Sequence, residues 1–526
     1  MRRRLWWLMA FHGVLTAVLT GRLFVLSVLP DWGPAGRAGP GVRLRAQAEH
    51  LRTVATDDGR GRILYRNGLP VRTGSDPLFG SVGLPDRWPD PDRPVPEQGR
   101  SGLQHRFDRV LASRRAGHVG LLEDAGGRPQ GLLYRLAPEP GLDVRTTLDP
   151  AWQRVAEAAL SEHGVAEGAV VVLDVSTGEA LAVASRSRDG GITAVRTYTP
   201  GSVFKLVTAA AALESFRFRG GTRFVCRGEA DIPGVRMRCW RVHGVQTLAE
   251  ALADSCDAVF AGVGVRVGRP GFEEMGRRLH LAEPQVQTGF GGRVLAEAEG
   301  GRVFAGGGDD NGRMANTAIG QQDVRLSPLV AANLARTIAA GGRWRPVRLA
   351  LGAERGGRTL AVFPGGDDER VVSPYTAAWL ADAMRQAVAS SAGTAHALAG
   401  LPVASAVKTG TAERPDGRVN AWIAGFAPAT APRIAFCAMV AGERSARAHR
   451  QVFGLTSDLL RACARFDPAS AAGGVGVTGA AGIIGAAGAA RVGELGRDAR
   501  INPLPSSGID SMMVRGWRRG KRLPKE

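Results

Sequence analysis

The stretch Tyr198-Thr-Pro-Gly-Ser202-Val-Phe-Lys205-Leu-Val-Thr-Ala-Ala-Ala-Ala-Leu-Glu214 constrains the chain more than any other. Pro200 and Gly201 make a turn, and the Ala/Leu run after them predicts a helix. Ser202 then falls in the first helical turn and Lys205 one turn further on. Residues three apart share a helix face, so the hydroxyl and the amine can meet. A serine hydroxyl is a weak nucleophile until a nearby base takes its proton. A lysine serves as that base only if burial or neighbouring charge weakens its hold on the proton. The helix N-terminus adds a positive field and free N–H groups suited to a developing oxyanion. Taken alone, Ser-x-x-Lys also reads as a capped helix with a solvated lysine.

Lysine usage separates the two readings. Lys205, Lys408, Lys521 and Lys525 are the only lysines among 68 lysines and arginines. Where any cation would serve, this chain uses arginine, which cannot be deprotonated, whereas a buried lysine can. Lysine at 205 and 408 is therefore required by chemistry; the other two lie in the terminal tail. The formal charge of +19 fits an anionic partner (nucleic acid, membrane surface or cell wall) or an arginine-rich surface by default. Four tyrosines and the lack of a basic-aromatic stripe argue against nucleic acid. The five cysteines, 226, 239, 256, 437 and 463, include no Cys-x-x-Cys pair, which argues against zinc; no metal and no cofactor is expected. Cys226 and Cys239 flank a short Pro/Gly loop, and an oxidising compartment would let them bridge. Cys437 and Cys463 read as buried thiols.

Arg2-Arg-Arg4 precedes an apolar run, Leu5–Leu29, interrupted by His12 and Arg22. A spanning helix needs roughly 20 apolar residues, and the basic start places the N-terminus in the cytoplasm. An uncleaved single-pass anchor over 1–29 is expected rather than a cleaved signal, with everything downstream extracytoplasmic. Residues 30–145 are rich in Gly, Pro and Arg with short strand-like pieces, and predict an elongated β-rich stalk. Pro150 opens a helix through Leu160. Gly168–Ser185 predicts an antiparallel hairpin of two apolar strands buried inside a larger fold. Leu248–Phe260 predicts a helix carrying Asp254-Ser-Cys-Asp257, and 264–313 an irregular Gly-rich segment. Ser327-Pro328 and Ser373-Pro374 open two more helices, the first ending before Gly341 and the second near Ala389. Val403–Gly410, Asn420–Phe426 and Ile434–Ala441 are strand-like, and Leu455–Arg465 is helical. Residues 467–526 form a Gly/Ala-rich tail with a basic end, expected to be disordered. The domain boundaries expected are thus 1–29, 30–145, 146–466 and 467–526.

Three motifs stand in one order: Ser202-x-x-Lys205, Ser255-x-Asp257 and Lys408-Thr409-Gly410. Together they match the signature of serine β-lactamases and penicillin-binding proteins. Their surroundings resemble the class B penicillin-binding proteins. Arg60-Gly-Arg-Ile-Leu-Tyr-Arg-Asn-Gly68 and Gly102-Leu-Gln-His-Arg-Phe-Asp-Arg-Val-Leu111 resemble that family's stalk motifs. Thr147-Leu-Asp-Pro150, Ala318-Ile-Gly-Gln321, Ser327-Pro-Leu329, Gly393-Thr-Ala395, Lys408-Thr-Gly-Thr-Ala412 and Ala421-Trp-Ile-Ala-Gly-Phe-Ala-Pro428 resemble its transpeptidase domain. The resemblance covers roughly 1–465.

The resemblance implies an α/β (α+β) transpeptidase fold, an antiparallel sheet flanked by helices, behind a β-rich stalk and one transmembrane helix. It implies that Ser202 attacks a stem-peptide carbonyl or a β-lactam ring, and that Lys205 takes its proton. Ser255 would relay a proton to the leaving amine. Lys408 would hold the site's electrostatics and help recognise the terminal carboxylate, and Thr409 and Thr411, beside Gly410, would bind that carboxylate. Backbone N–H groups of Ser202 and Thr411 would form the oxyanion hole. It further implies peptidoglycan stem peptides and β-lactams as ligands and a SEDS-type glycan polymerase in the membrane as partner. One position departs from the family: Asp257 stands where an Asn is usual, and a carboxylate cannot donate a hydrogen bond. It can pair with Lys205 or Lys408, stay protonated, or point away. A catalytically impaired scaffold is therefore one alternative reading; a D,D-carboxypeptidase, which shares the acylation but lets water deacylate, is the other.

Overall fold

A computed structural model describes residues 7, 9, 11–21, 51–57, 59–72, 76–83, 98–115, 117–123, 128–215, 218, 221–287 and 295–466. Residues 1–475 group as one unit and 476–526 as another, which lies outside those described. The predicted tail, the Arg2–Arg4 start and residues 22–29 of the predicted span also lie outside them. Residues 11–21 are helical, with Phe11, Val14, Val18 and Leu19 exposed. Among the described residues, no helix is long and apolar enough to cross a membrane.

The N-terminal part supplies β1 (Leu51–Asp57), β2 (Ile63–Leu64), the short helices α1 (Gly102–Arg106) and α2 (Asp108–Leu111), β3 (Gly117–Glu123), β4 (Pro129–Leu136) and β5 (Asp143–Thr146). Strands β1, β3 and β4 form an antiparallel sheet in the order β1-β3-β4. The two Arg/Gly-rich motifs meet here. Arg60 Nε donates to Gln104 Oε1 at 3.0 Å and its Nη1 to Asp108 Oδ1 at 2.8 Å. Asp108 also accepts from the Gly99 N–H at 2.7 Å.

The chain then gives α3 (Pro150–Glu162), β6 (Gly168–Asp174), β7 (Ala180–Arg186), α4 (Lys205–Glu214), β8 (Arg223–Cys226), β9 (Glu229–Ile232), β10 (Val235–Arg238), β11 (Gly244–Thr247), α5 (Leu248–Ala253) and α6 (Asp257–Arg278). After these come α7 (Asn311–Ala318), α8 (Pro328–Ala339), β12 (Ala350–Arg355), β13 (Arg358–Val362), α9 (Pro374–Ala389), β14 (Ala406–Glu413), β15 (Val419–Ala427), β16 (Ile434–Glu443) and α10 (Ser445–Phe466). Helices α3, α8 and α9 start as their sequences direct. Asp149, Ser327 and Ser373 accept N–H groups of the first turn, each ahead of a proline, a cap worth about 1 kcal/mol.

The central sheet is antiparallel, in the order β14-β15-β16-β6-β7. Its alternating side chains feed two cores. Ala169, Val171 and Leu173 of β6 pack with α4, α6 and α8, whereas Val170 and Val172 pack with α3 and α10. Covering both faces explains why these strands are apolar throughout rather than alternating with polar residues. A second sheet, β13-β12-β5-β2, joins strands from either side of residue 145. Arg145 clamps it with two bonds to Glu354, at 2.9 and 2.8 Å.

Three expectations are corrected. The helix predicted over Leu248–Phe260 breaks at Ser255, because Ser255 and the carbonyl-capping turn around it end α5 before α6 begins. The segment predicted to be irregular from 264 is helical through Arg278, bent at Gly268 and Pro270, and again over 311–318. The five cysteines are free thiols, so the Cys226–Cys239 bridge does not form. Cys226 Sγ faces the Arg241 carbonyl, while Cys239 Sγ faces His243 and Cys256.

Candidate active site

The Ser202 segment enters the site as a tight 3-10 turn, Gly201–Phe204, that runs straight into α4. The α-helix proper thus begins at Lys205 rather than before Ser202. Gly201 has φ 56°, and a Cβ there would lie 2.3 Å from the Thr411 carbonyl oxygen. Gly410 answers from the other side, where a Cβ would sit 2.5 Å from the Pro200 carbonyl oxygen. Strand β14 is an edge strand, and these two glycines let its outer edge lie against the Ser202 turn. Unpaired N–H groups are what the start of a helix offers.

Lys205 is fully buried, and its ammonium uses all three donors. It donates to the Ser255 carbonyl at 2.7 Å, to Ser255 Oγ at 3.2 Å and to Asp257 Oδ1 at 2.6 Å. Asp257 therefore pairs with Lys205, the first of the arrangements its carboxylate allowed. Ser202 is half-buried, and among the described residues its hydroxyl receives no hydrogen bond from Lys205.

Ser255 follows the end of α5 with φ 56°, left-handed backbone that a serine adopts only under constraint. That turn aims both its carbonyl and its hydroxyl at lysine amines. Lys408, also fully buried, donates to Ser255 Oγ at 2.9 Å and to the Thr409 carbonyl at 2.8 Å. Burial first, then the charge of Lys205, holds Lys408 well below the usual lysine range, with Asp257 pulling the other way. One carboxylate thus balances one of two buried lysines. Ser255 Oγ lies between the two amines, and a neutral Lys408 can accept the Ser255 O–H.

Along β14, side chains alternate between faces. Lys408 and Gly410 face inward and are buried, while Thr409 and Thr411 are half-exposed on the other face. Thr409 Oγ1 bonds Thr394 Oγ1 at 2.9 Å, and Thr394 is held by the Ala253 carbonyl at 3.2 Å. Thr411 Oγ1 lies 2.8 Å from His449 Nε2. Burial lowers the His449 pKa, which favours the neutral ring. Thr394 and His449 were missed as site residues. The Gly393-Thr-Ala395 phrase pointed to the first. The second was hidden because α10 begins at Ser445, ten residues before the helix expected there.

The comparisons with known proteins agree with this geometry. Residues 168–454 match the model of the penicillin binding protein transpeptidase domain. The chain belongs to this family, within class B. Among its relatives, the peptidoglycan D,D-transpeptidase PbpA of Mycobacterium tuberculosis is 32% identical over 446 residues, covering 76% of this chain and 87% of that one. A ceftriaxone acyl-enzyme complex of penicillin-binding protein A from M. tuberculosis has a TM-score of 0.58 at 24% identity, covering 76% of this chain and 98% of that one. Penicillin-binding protein 2 of Pseudomonas aeruginosa scores 0.60 at 22% identity, covering 75% and 95%. This transpeptidase therefore shares the fold in which the three motifs are brought to one site.

Proposed function

We propose that the chain is a membrane-anchored peptidoglycan D,D-transpeptidase that acylates on Ser202 and binds β-lactams covalently. One observation carries the reading: the Ser255 hydroxyl bridges two buried lysine amines beside the Ser202 turn. Burying two lysines beside one carboxylate serves no structural end, since desolvating a charged amine costs several kcal/mol. They do make a proton relay.

In this reading the single excess proton moves between the two amines. Lys205 passes a proton to the Ser255 oxygen as Ser255 passes its own to Lys408. Lys205 is then neutral and can take the proton of Ser202, whose oxygen bonds to the carbonyl carbon of the penultimate D-Ala. The oxyanion sits between the N–H groups of Ser202 and Thr411. The C–N bond to the terminal D-Ala breaks as Lys205 returns the proton, through Ser255, to the leaving amine. An amine of a second stem peptide then attacks the acyl-enzyme, and Ser202 regains its proton. Thr409 and Thr411 hydrogen-bond the terminal carboxylate. Lys408, buried behind them, contributes its charge rather than a contact.

Anchoring by Leu5–Leu29, with the N-terminus cytoplasmic and the rest extracytoplasmic, is supported by the exposed apolar side chains of the helix at 11–21. The same surface would meet a SEDS-type polymerase. Residues 30–145 serve as the stalk and 146–466 as the catalytic domain.

The test is labelling of the full chain by a fluorescent penicillin beside Ser202→Ala. A covalent label lost in Ser202→Ala is expected; equal labelling of both, or none on folded wild type, would overturn the proposal. The Lys205–Asp257 pair favours a second reading, a slowed enzyme or scaffold, because a carboxylate 2.6 Å away stabilises the charged amine. Asp257→Asn separates the two. Faster labelling at neutral pH, by about tenfold or more, is expected if the pair restrains Lys205; a slower variant makes Asp257 part of the relay.

A further inference from the structure

Cys226, Cys239, His243 and Cys256 converge on one point, with one donor atom from each and all four within 4.8 Å of one another. They come from four places: the end of β8, the residue after β10, the residue before β11, and the residue that opens α6. The absence of a Cys-x-x-Cys pair hid the cluster, because the fold rather than the local spacing assembles it.

The separations match a metal's geometry. Zinc takes sulfur at about 2.3 Å and nitrogen at about 2.0–2.1 Å in a tetrahedron. The edges of such a tetrahedron are then about 3.7 Å between sulfurs and about 3.5 Å from sulfur to nitrogen. The Cys239–Cys256 sulfurs lie 3.8 Å apart, and Cys239 Sγ lies 3.5 Å from His243 Nδ1. A disulfide would need about 2.05 Å. Cys226 and Cys256 are buried, and Cys239 and His243 half-buried. His243 Nε2 is buried without a hydrogen-bond partner among the described residues, so the ring's one polar contact is through Nδ1 to Cys239. Among the described residues, nothing else accounts for enclosing an imidazole among three thiols.

We propose that these four residues bind one divalent zinc-type cation. Three thiolates and an imidazole in a tetrahedron select zinc among common ions, and a set with no open position marks a structural site rather than a catalytic one. Binding releases the three thiol protons to solvent. Cys256 is the middle residue of Ser255-Cys256-Asp257, so the cation would tie β8–β11 to the strained turn that aims Ser255 at both lysines. It would hold this turn without touching substrate.

The test uses the full chain in detergent, reduced, stripped with a chelator and titrated with Co²⁺. One Co²⁺ per chain is expected, with thiolate-to-metal charge-transfer absorption and tetrahedral d–d bands, displaced by one Zn²⁺. Zn²⁺ should also raise the melting temperature of the stripped wild type. Cys239→Ser and His243→Ala should lose the charge-transfer signal or the stoichiometry, while Cys463→Ala keeps both. Absence of these bands in wild type, unchanged binding in Cys239→Ser, or a Cys239–Cys256 disulfide in chain isolated without reductant would each overturn the proposal. All readouts are independent of penicillin labelling, so this site and the assignment of Ser202 fail separately.

Discussion

At the scale of the residue, the site depends on which lysine carries the charge. Lys408 is held well below the ordinary lysine value of 10.5 by burial and then by the charge of Lys205, against the pull of Asp257. A lysine whose pKa is lowered in the fold binds fewer protons folded than unfolded. Below 10.5 stability therefore falls as pH falls, until Lys408 is protonated in the folded state as well. Lys408→Met keeps the length of the chain and removes the titration. The expected variant loses less stability than wild type as pH is lowered from 10.5 in thermal melts. It should also lose penicillin labelling by at least about a hundredfold, because Ser255 no longer has a second amine to relay through. A variant that labels normally would show Lys408 to be a packing residue.

At the scale of the element, catalysis depends on how closely an edge strand approaches a helix start. Gly201 and Gly410 allow that approach, and each contact is backbone against backbone. Gly201→Ala places a methyl 2.3 Å from the Thr411 carbonyl at a φ of 56°. The strand must move away, at a cost of about 2 kcal/mol or more. A displacement of about 1 Å at reacting groups costs on the order of a hundredfold in rate. Gly201→Ala should therefore fold, melt several degrees lower and label with penicillin on the order of a hundredfold more slowly. Unchanged labelling would show that β14 does not supply the oxyanion N–H.

At the scale of the whole molecule, the N-terminal motifs are expected to act on stability rather than chemistry. Arg60 is nearly buried and gathers Gln104 and Asp108, linking two motifs 44 and 48 residues apart in sequence. Arg60→Ala leaves Gln104 and Asp108 without their common donor, at a cost of about 1–3 kcal/mol. The expected result is a lower melting temperature with an unchanged labelling rate at 25 °C. A parallel loss of labelling would couple this segment to the site. The shared sheet β13-β12-β5-β2 gives a physical route for stability to pass between the two parts.

What the sequence alone determined was local or chemically unusual. Capped helix starts at Asp149, Ser327 and Ser373 needed only neighbours in the chain, and the hairpin of β6 and β7 needed only a short turn between apolar strands. Ser202, Lys205, Ser255, Asp257 and Lys408 were legible because lysine is rare here and the motifs stand in one order. Tertiary structure decided which lysine Asp257 pairs with, that Ser255 sits in a left-handed break between helices, and that His449 reaches Thr411. It also brought Cys226, Cys239, His243 and Cys256 together. Apart from the local break at Ser255, each of these is a meeting of groups brought together by the fold. Hydrophobic periodicity reports which face of an element is buried, but not what lies across from it.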